Sequence, residues 1–208
     1  MKKVLALVLA LAMLCTFAFI ATAATPEEEL QAQGRALAEE TISIMNSRQF
    51  TLRASQFAFD GRVSSAVVAV DGTTIAIETP SVGGFWSRLF LGNRMRVIIT
   101  PNRLTSVWPG RRLALSIPNE AFPFNDFPVF SVTPEFETEM VTIAGNNYLQ
   151  ITFWHGSIGF RYYYRDGQLR RIVERRGSTE TVTLVDSFVG TADQNLFNTR
   201  WMIRISLG

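Results

Sequence analysis

Cysteine, histidine and lysine are almost missing from this 208-residue chain. The one cysteine, Cys15, lies in an apolar N-terminal run, so neither a disulfide framework nor a Cys-His catalytic couple is available. The one histidine, His155, excludes the usual multi-histidine zinc site. It stands beside a turn, in Trp154-His155-Gly156-Ser157, with no nucleophile marked by a motif, and is expected not to be catalytic. The G-x-S-x-G elbow, the P-loop and G-x-G-x-x-G do not occur. The sequence therefore predicts no enzyme, no metal and no cofactor.

Lysine occurs only at Lys2 and Lys3, ahead of the apolar run Val4 to Ile20 and the small-residue signal Ala21-Thr22-Ala23. A positive n-region, an apolar h-region and an A-x-A site make a secretory signal peptide. The rival reading is a membrane anchor, but a run of about 17 residues is at the short end for a bilayer, and the cleavage signal favours removal of 1–23. Leu14 precedes Cys15 where a lipoprotein signal needs a small residue, so no lipid anchor is expected. The remaining chain, 24–208, is expected to form one extracytoplasmic, monomeric domain held by packing alone. Its charge changes on cleavage. The precursor is +2; without the two lysines, 18 arginines face 18 acidic residues. No basic excess remains for nucleic acid.

Thr25-Pro26-Glu27-Glu28 has the form of a capping box with proline at the first helical position. Leu30, Leu37, Ala38, Ile44 and Met45 then form an apolar stripe at helical spacing, weakened by Gly34 and Thr41. The pattern predicts an amphipathic helix of about twenty residues ending near Asn46-Ser47. Its mostly acidic polar face argues for packing on a sheet rather than on a membrane.

From Phe50 the pattern is strand after strand. Asp71-Gly72, Pro101-Asn102, Pro109-Gly110, Gly145-Asn146-Asn147 and His155-Gly156 mark turns. The clearest signal is Phe160 to Phe188. Phe160, Tyr162 and Tyr164 alternate with Arg161, Tyr163 and Arg165, Asp166-Gly167 turns the chain, and two further runs follow. Trp201 to Leu207 reads as a final strand. Turn signals every 8–12 residues or so predict an antiparallel sheet curling toward a barrel or half-barrel.

Two stretches break the alternation. Residues 83–92 hold Phe85, Trp86 and Phe90 between glycines; residues 121–130 hold Phe122, Phe124 and Phe127 with two prolines. Each is a candidate lid over an apolar cavity, or a plug that completes a core. Glu135, Glu137 and Glu139 share one side of an extended segment, read as a solvated face with weak calcium binding as the sharper alternative. Arg170, Arg171, Arg175 and Arg176 are read as a solvated edge, with docking to an anionic membrane surface as the functional option.

Five segments stand in a recognisable order: Phe50-Thr51-Leu52 after the helix, Val97-Ile98-Ile99-Thr100-Pro101-Asn102 before a short strand, the Tyr162 to Val173 hairpin, Asp186-Ser187-Phe188 and Leu196-Phe197. In these segments and in the order of elements the chain resembles the LolA-like lipoprotein-carrier superfamily. The resemblance is architectural and carries no ligand-contacting residue across. It implies an α+β, mainly antiparallel fold: an incomplete, half-open β-barrel with the N-terminal helix on its concave face, around an apolar cavity that takes acyl chains.

Export, a sheet that need not close, and abundant phenylalanine together predict a carrier for a lipid or acylated ligand. The more apolar face of each strand supplies the cavity candidates: Ile75 and Ile77, Val97 and Ile99, Ile151 and Phe153, Phe160 and Tyr162, Val182 and Leu184. Leu169 and Ile172 are three apart, which strict alternation does not allow, and a bulge would account for them. The alternative function is a secreted interaction or scaffold module with a filled core.

Overall fold

The computed structural model describes residues 25–59, 62–80, 92–119 and 136–207. The signal segment and the two aromatic stretches with Phe85, Trp86, Phe90, Phe122, Phe124 and Phe127 lie outside the described residues, as does Glu135.

Helix α1 runs Pro26–Ser47. Thr25 caps it as the sequence predicts: its hydroxyl accepts from the Glu28 amide, and the Glu28 carboxylate accepts from the Thr25 amide. Three glutamates in the first turn complement the positive end of the helix dipole. The helix stops at Arg48, whose φ of 55° breaks the repeat, and the Arg48 carbonyl accepts from Gly72. That bond fixes the helix end against the first hairpin.

Twelve strands follow: β1 (Gln49–Phe59), β2 (Arg62–Asp71), β3 (Thr74–Pro80), β4 (Arg94–Ile99), β5 (Arg103–Trp108), β6 (Leu113–Pro118), β7 (Glu137–Ile143), β8 (Asn146–His155), β9 (Ile158–Arg165), β10 (Gln168–Arg176), β11 (Thr179–Val189) and β12 (Ile203–Ser206). They form one sheet in the order β12-β6-β5-β4-β3-β2-β1-β11-β10-β9-β8-β7. Two meanders, β1–β6 and β7–β11, join where β1 pairs with β11. Every pairing is antiparallel except that of β12 with β6. The sheet does not close, and among the described residues β7 and β12 are its edges. The architecture is an α+β open half-barrel with one helix packed against it.

Turn chemistry sets the register. Asp166 and Gly167 both have positive φ, 54° and 71°, the geometry of a two-residue turn whose twist matches the flanking strands. A bulge between Leu169 and Arg171 then shifts the register of β10 against β9. The shift brings Leu169 and Ile172, three apart in sequence, to one face, opposite Tyr164 and Tyr162.

Candidate ligand-binding face

Antiparallel partners project to the same side of a sheet, so the registers define two faces. The helix side carries Leu52, Val68, Ile77, Val97, Ser106 and Leu115 in one row across β1 to β6. The next row holds Val70, Ile75, Ile99, Leu104 and Ile117. Across the other meander the helix side carries Ile151, Tyr162, Ile172 and Thr183.

Over β7–β11 the helix fills this face. Ala38 and Ile42 pack on Leu149, Ile151, Phe153, Phe160, Tyr162, Tyr164, Leu169 and Val185. Phe153 stacks on Phe160 at 5.5 Å between ring centroids and meets Tyr162 edge-on at 4.9 Å. Two tyrosine hydroxyls find partners on the helix. Tyr162 reaches the Met45 sulfur at 3.7 Å. Tyr164 donates to the Leu37 carbonyl at 3.2 Å, which leaves its oxygen to accept the Thr41 hydroxyl at 2.8 Å. Burial pushes the pKa of both phenols well above the ordinary value. For Tyr164 the Thr41 bond partly offsets that rise, and the Glu40 carboxylate adds to it.

The sequence candidates fall into three groups. Ile151, Phe153, Phe160 and Tyr162 are core beneath the helix. Ile75, Ile77, Val97 and Ile99 share the helix-side face on β3 and β4, past Val68, the outermost member of the helix-packed cluster on that side. Val182 and Leu184 require correction: they face the reverse side, opposite Val173 and Arg171. Val185, Thr183 and Ile172 take the helix side instead. Apolarity misidentified the inward set on β11 because the reverse side there is apolar too. Val173 is 1% exposed, and the Arg171 guanidinium lies 5.3 Å from the centre of the Tyr163 ring.

Sequence reasoning also missed a cleft between α1 and β9–β11, about 280 Å³ in volume. Leu37, Ile44, Leu169 and Phe188 supply its apolar walls; Glu40, Thr41, Tyr164 and Asp186 supply polar atoms. Thr41 was the available signal. A hydroxyl on an otherwise apolar helical stripe needs a partner, and Tyr164 is that partner.

The reverse side of β2–β6 has its own cover. Leu196, in a 3-10 turn after β11, is buried with Ala69, Ala76, Ile98, Val107 and Ala114. The three alanines leave the space Leu196 occupies. Arg96 holds the cover down. It donates to Glu78 Oε2 at 3.2 and 2.8 Å and to the carbonyls of Asn195 and Leu196 at 3.0 Å each. Glu137 and Glu139 are exposed on edge strand β7, as a solvated face requires. Among the described residues no group of three or more His, Cys, Asp or Glu side chains is placed to hold a metal ion.

The fold and face together define an open sheet whose helix-side face the helix covers in part; beyond the helix-packed cluster Ile77 and Ile99 are buried and Ile75, Val97 and Leu104 half-buried. No family model matches the chain, and no curated protein does. Among solved structures it is similar to an uncharacterized conserved protein from Thermus thermophilus, with 11% identity and a TM-score of 0.43, covering 82% of this chain and 99% of that one. It is also similar to MucB, with 10% identity and a TM-score of 0.41, covering 82% of this chain and 64% of that one. A third, PNGF-II, covers 76% of this chain and 32% of its own length, with 11% identity and a TM-score of 0.30.

Proposed function

We propose that this is an exported carrier that holds a lipid or acylated ligand on the helix-side face, without chemical turnover. One observation carries the reading. The apolar rows of that face continue past the helix-packed cluster through Ile77 to Val97, and through Ile75 and Ile99 to Leu104. The signal-peptide pattern supports export, and the resemblance to lipoprotein carriers supports an acyl ligand.

The energetics allow it. Each buried methylene gives ~0.8 kcal/mol, so a sixteen-carbon chain gains on the order of 10 kcal/mol. Ordering and desolvation remove half or more of that, leaving about 5 kcal/mol or less, a dissociation constant on the order of 0.1 mM or weaker. The filled-core reading has its own support, because Ile151, Phe153 and Tyr162 are closed off beneath the helix.

A titration with a fluorescent fatty acid separates the two. The carrier reading expects saturable uptake by the mature protein and lipid in an organic extract of the native protein, with at least tenfold weaker uptake by folded Val97→Asp or Leu104→Asp. If the wild type shows no uptake and its extract holds no lipid, the interaction module replaces the carrier.

A further inference from the structure

On the reverse side, at the β12 edge, one cleft gathers two arginines. It has a volume of about 370 Å³ and, among its described lining residues, no carboxylate. Thr105, Ser116 and Ser206 stand opposite one another across β5, β6 and β12, a row of three hydroxyls. Thr105 Oγ1 and Ser116 Oγ are 3.0 Å apart. Arg103 lies two residues from Thr105 on its strand, and Arg204 two residues from Ser206 on β12. Alternation places both on the hydroxyl side. The register places them at opposite ends of the row, Arg103 beside Pro118 and Arg204 beside Ala114. Arg103 donates to Ser206 Oγ at 2.5 Å, and Arg204 to Thr199 Oγ1 at 2.8 Å. Ile98, Ala114 and Phe197 complete the lining with apolar surface.

We propose that this cleft binds a phosphate oxyanion, either free or carried on a lipid headgroup. A guanidinium has five N–H donors in a planar fork, and phosphate oxygens match that fork in pairs. The hydroxyl row adds donors between the two forks. Once the signal peptide is removed the formal charge of the chain is zero, so the attraction is local to the cleft rather than a property of the whole surface. The site lies on the opposite side of the sheet from the proposed carrier face, and the two readings fail separately.

The test uses the mature full-length chain and ¹⁵N-resolved NMR with inorganic phosphate as the probe. Saturable shifts are expected at the Arg103 and Arg204 side chains and the Ser206 amide. Arg103→Gln and Arg204→Gln should each weaken binding ~10-fold or more, while Arg176→Gln, at the distant β10–β11 turn, should leave it unchanged. Arg204→Lys keeps the charge but loses the fork, and should fall between. Among the described residues the exposed Arg204 bonds a threonine hydroxyl alone, so its variants keep the fold if Arg103→Gln does not. Sedimentation with phosphatidic acid/phosphatidylcholine vesicles assigns the source. Vesicle binding that phosphate competes away and Arg204→Gln abolishes points to a headgroup; phosphate shifts without vesicle binding point to free phosphate. The proposal is overturned if neither probe binds, or if both arginine variants bind phosphate as the wild type does.

Discussion

Gly34 of the helix and Thr138 of β7 approach so closely that a Cβ on Gly34 would lie 2.5 Å from the Thr138 hydroxyl oxygen. The same hydroxyl is buried without a hydrogen-bond partner among the described residues. A glycine inside a helix costs about 1 kcal/mol relative to alanine, so close approach is the reason for it here. Gly34→Ala should therefore destabilise the protein by roughly 1–3 kcal/mol through overpacking, despite better helix propensity. Thr138→Ala removes the two nearest obstructing atoms, Oγ1 and Cγ2, with the unsatisfied hydroxyl, and leaves Cβ at 3.1 Å. The double variant should recover most of the loss. Urea unfolding of the four proteins measures the coupling, and additive effects would show that the contact is not limiting.

Arg96 and Glu78 form an ion pair whose side chains are each 10% exposed. Arg96→Met leaves Glu78, among the described residues, with the solvent-exposed Arg94 alone and frees two carbonyls of the C-terminal segment. A loss of about 3–5 kcal/mol is expected, as for other buried pairs broken on one side. Limited proteolysis should then cut within 190–202 sooner than in the wild type. An unchanged cleavage pattern would show that the cover is held by Leu196 alone.

Stability should fall in alkali. Tyr162 and Tyr164 have folded pKa values raised by burial, while an unfolded tyrosine titrates near about 10. Below that pH both states are protonated and no linkage term operates. Above it the unfolded chain ionises first, so the folded state loses stability as pH climbs toward the raised values. Thermal melts at increasing pH should show a decline beginning near pH ~10, reduced in Tyr164→Phe. A Tyr164→Phe profile identical to the wild type would assign the decline to other groups.

Phe153 is fully buried between Phe160 and Tyr162. Phe153→Ala should cost about 3–5 kcal/mol. It tests the core rather than the ligand, and fatty-acid uptake per folded molecule should stay within about threefold of the wild type. A selective loss of uptake with full stability would move the ligand under the helix.

Cleavage after Ala23 is expected from the A-x-A signal, which ends two residues before the capping threonine Thr25. The secreted protein should begin at Ala24. N-terminal sequencing that finds Met1 retained would restore the membrane-anchor reading.

The helix and the succession of strands along the chain were legible in the sequence because their causes are local; the β1–β11 and β12–β6 pairings were not. Thr25-Pro26 and Glu28 cap a helix by chain-neighbour hydrogen bonds, and Asp166-Gly167 turns a hairpin by its own dihedral angles. Alternation located strands well, but it assigned faces only where one side of the sheet is polar. On β4 the run Val97-Ile98-Ile99 is apolar on both sides, since Val97 and Ile99 take the helix side and Ile98 lies beneath Leu196. On β11 the apolar pair Val182 and Leu184 lies on the reverse side, where Val173 and the Tyr163–Arg171 stack make room for them. The strongest long-range contacts were hidden for another reason. Gly34 with Thr138, Thr41 with Tyr164, and Arg96 with Leu196 are each separated by about a hundred residues or more in sequence. Their chemistry is polar or small, so no hydrophobic period announces it. Sequence alone determined the elements and their turns. Only the tertiary structure decided which side each strand presents, where the helix lies across it and what the arginines hold, because those depend on register and close packing between segments that are not neighbours in the chain.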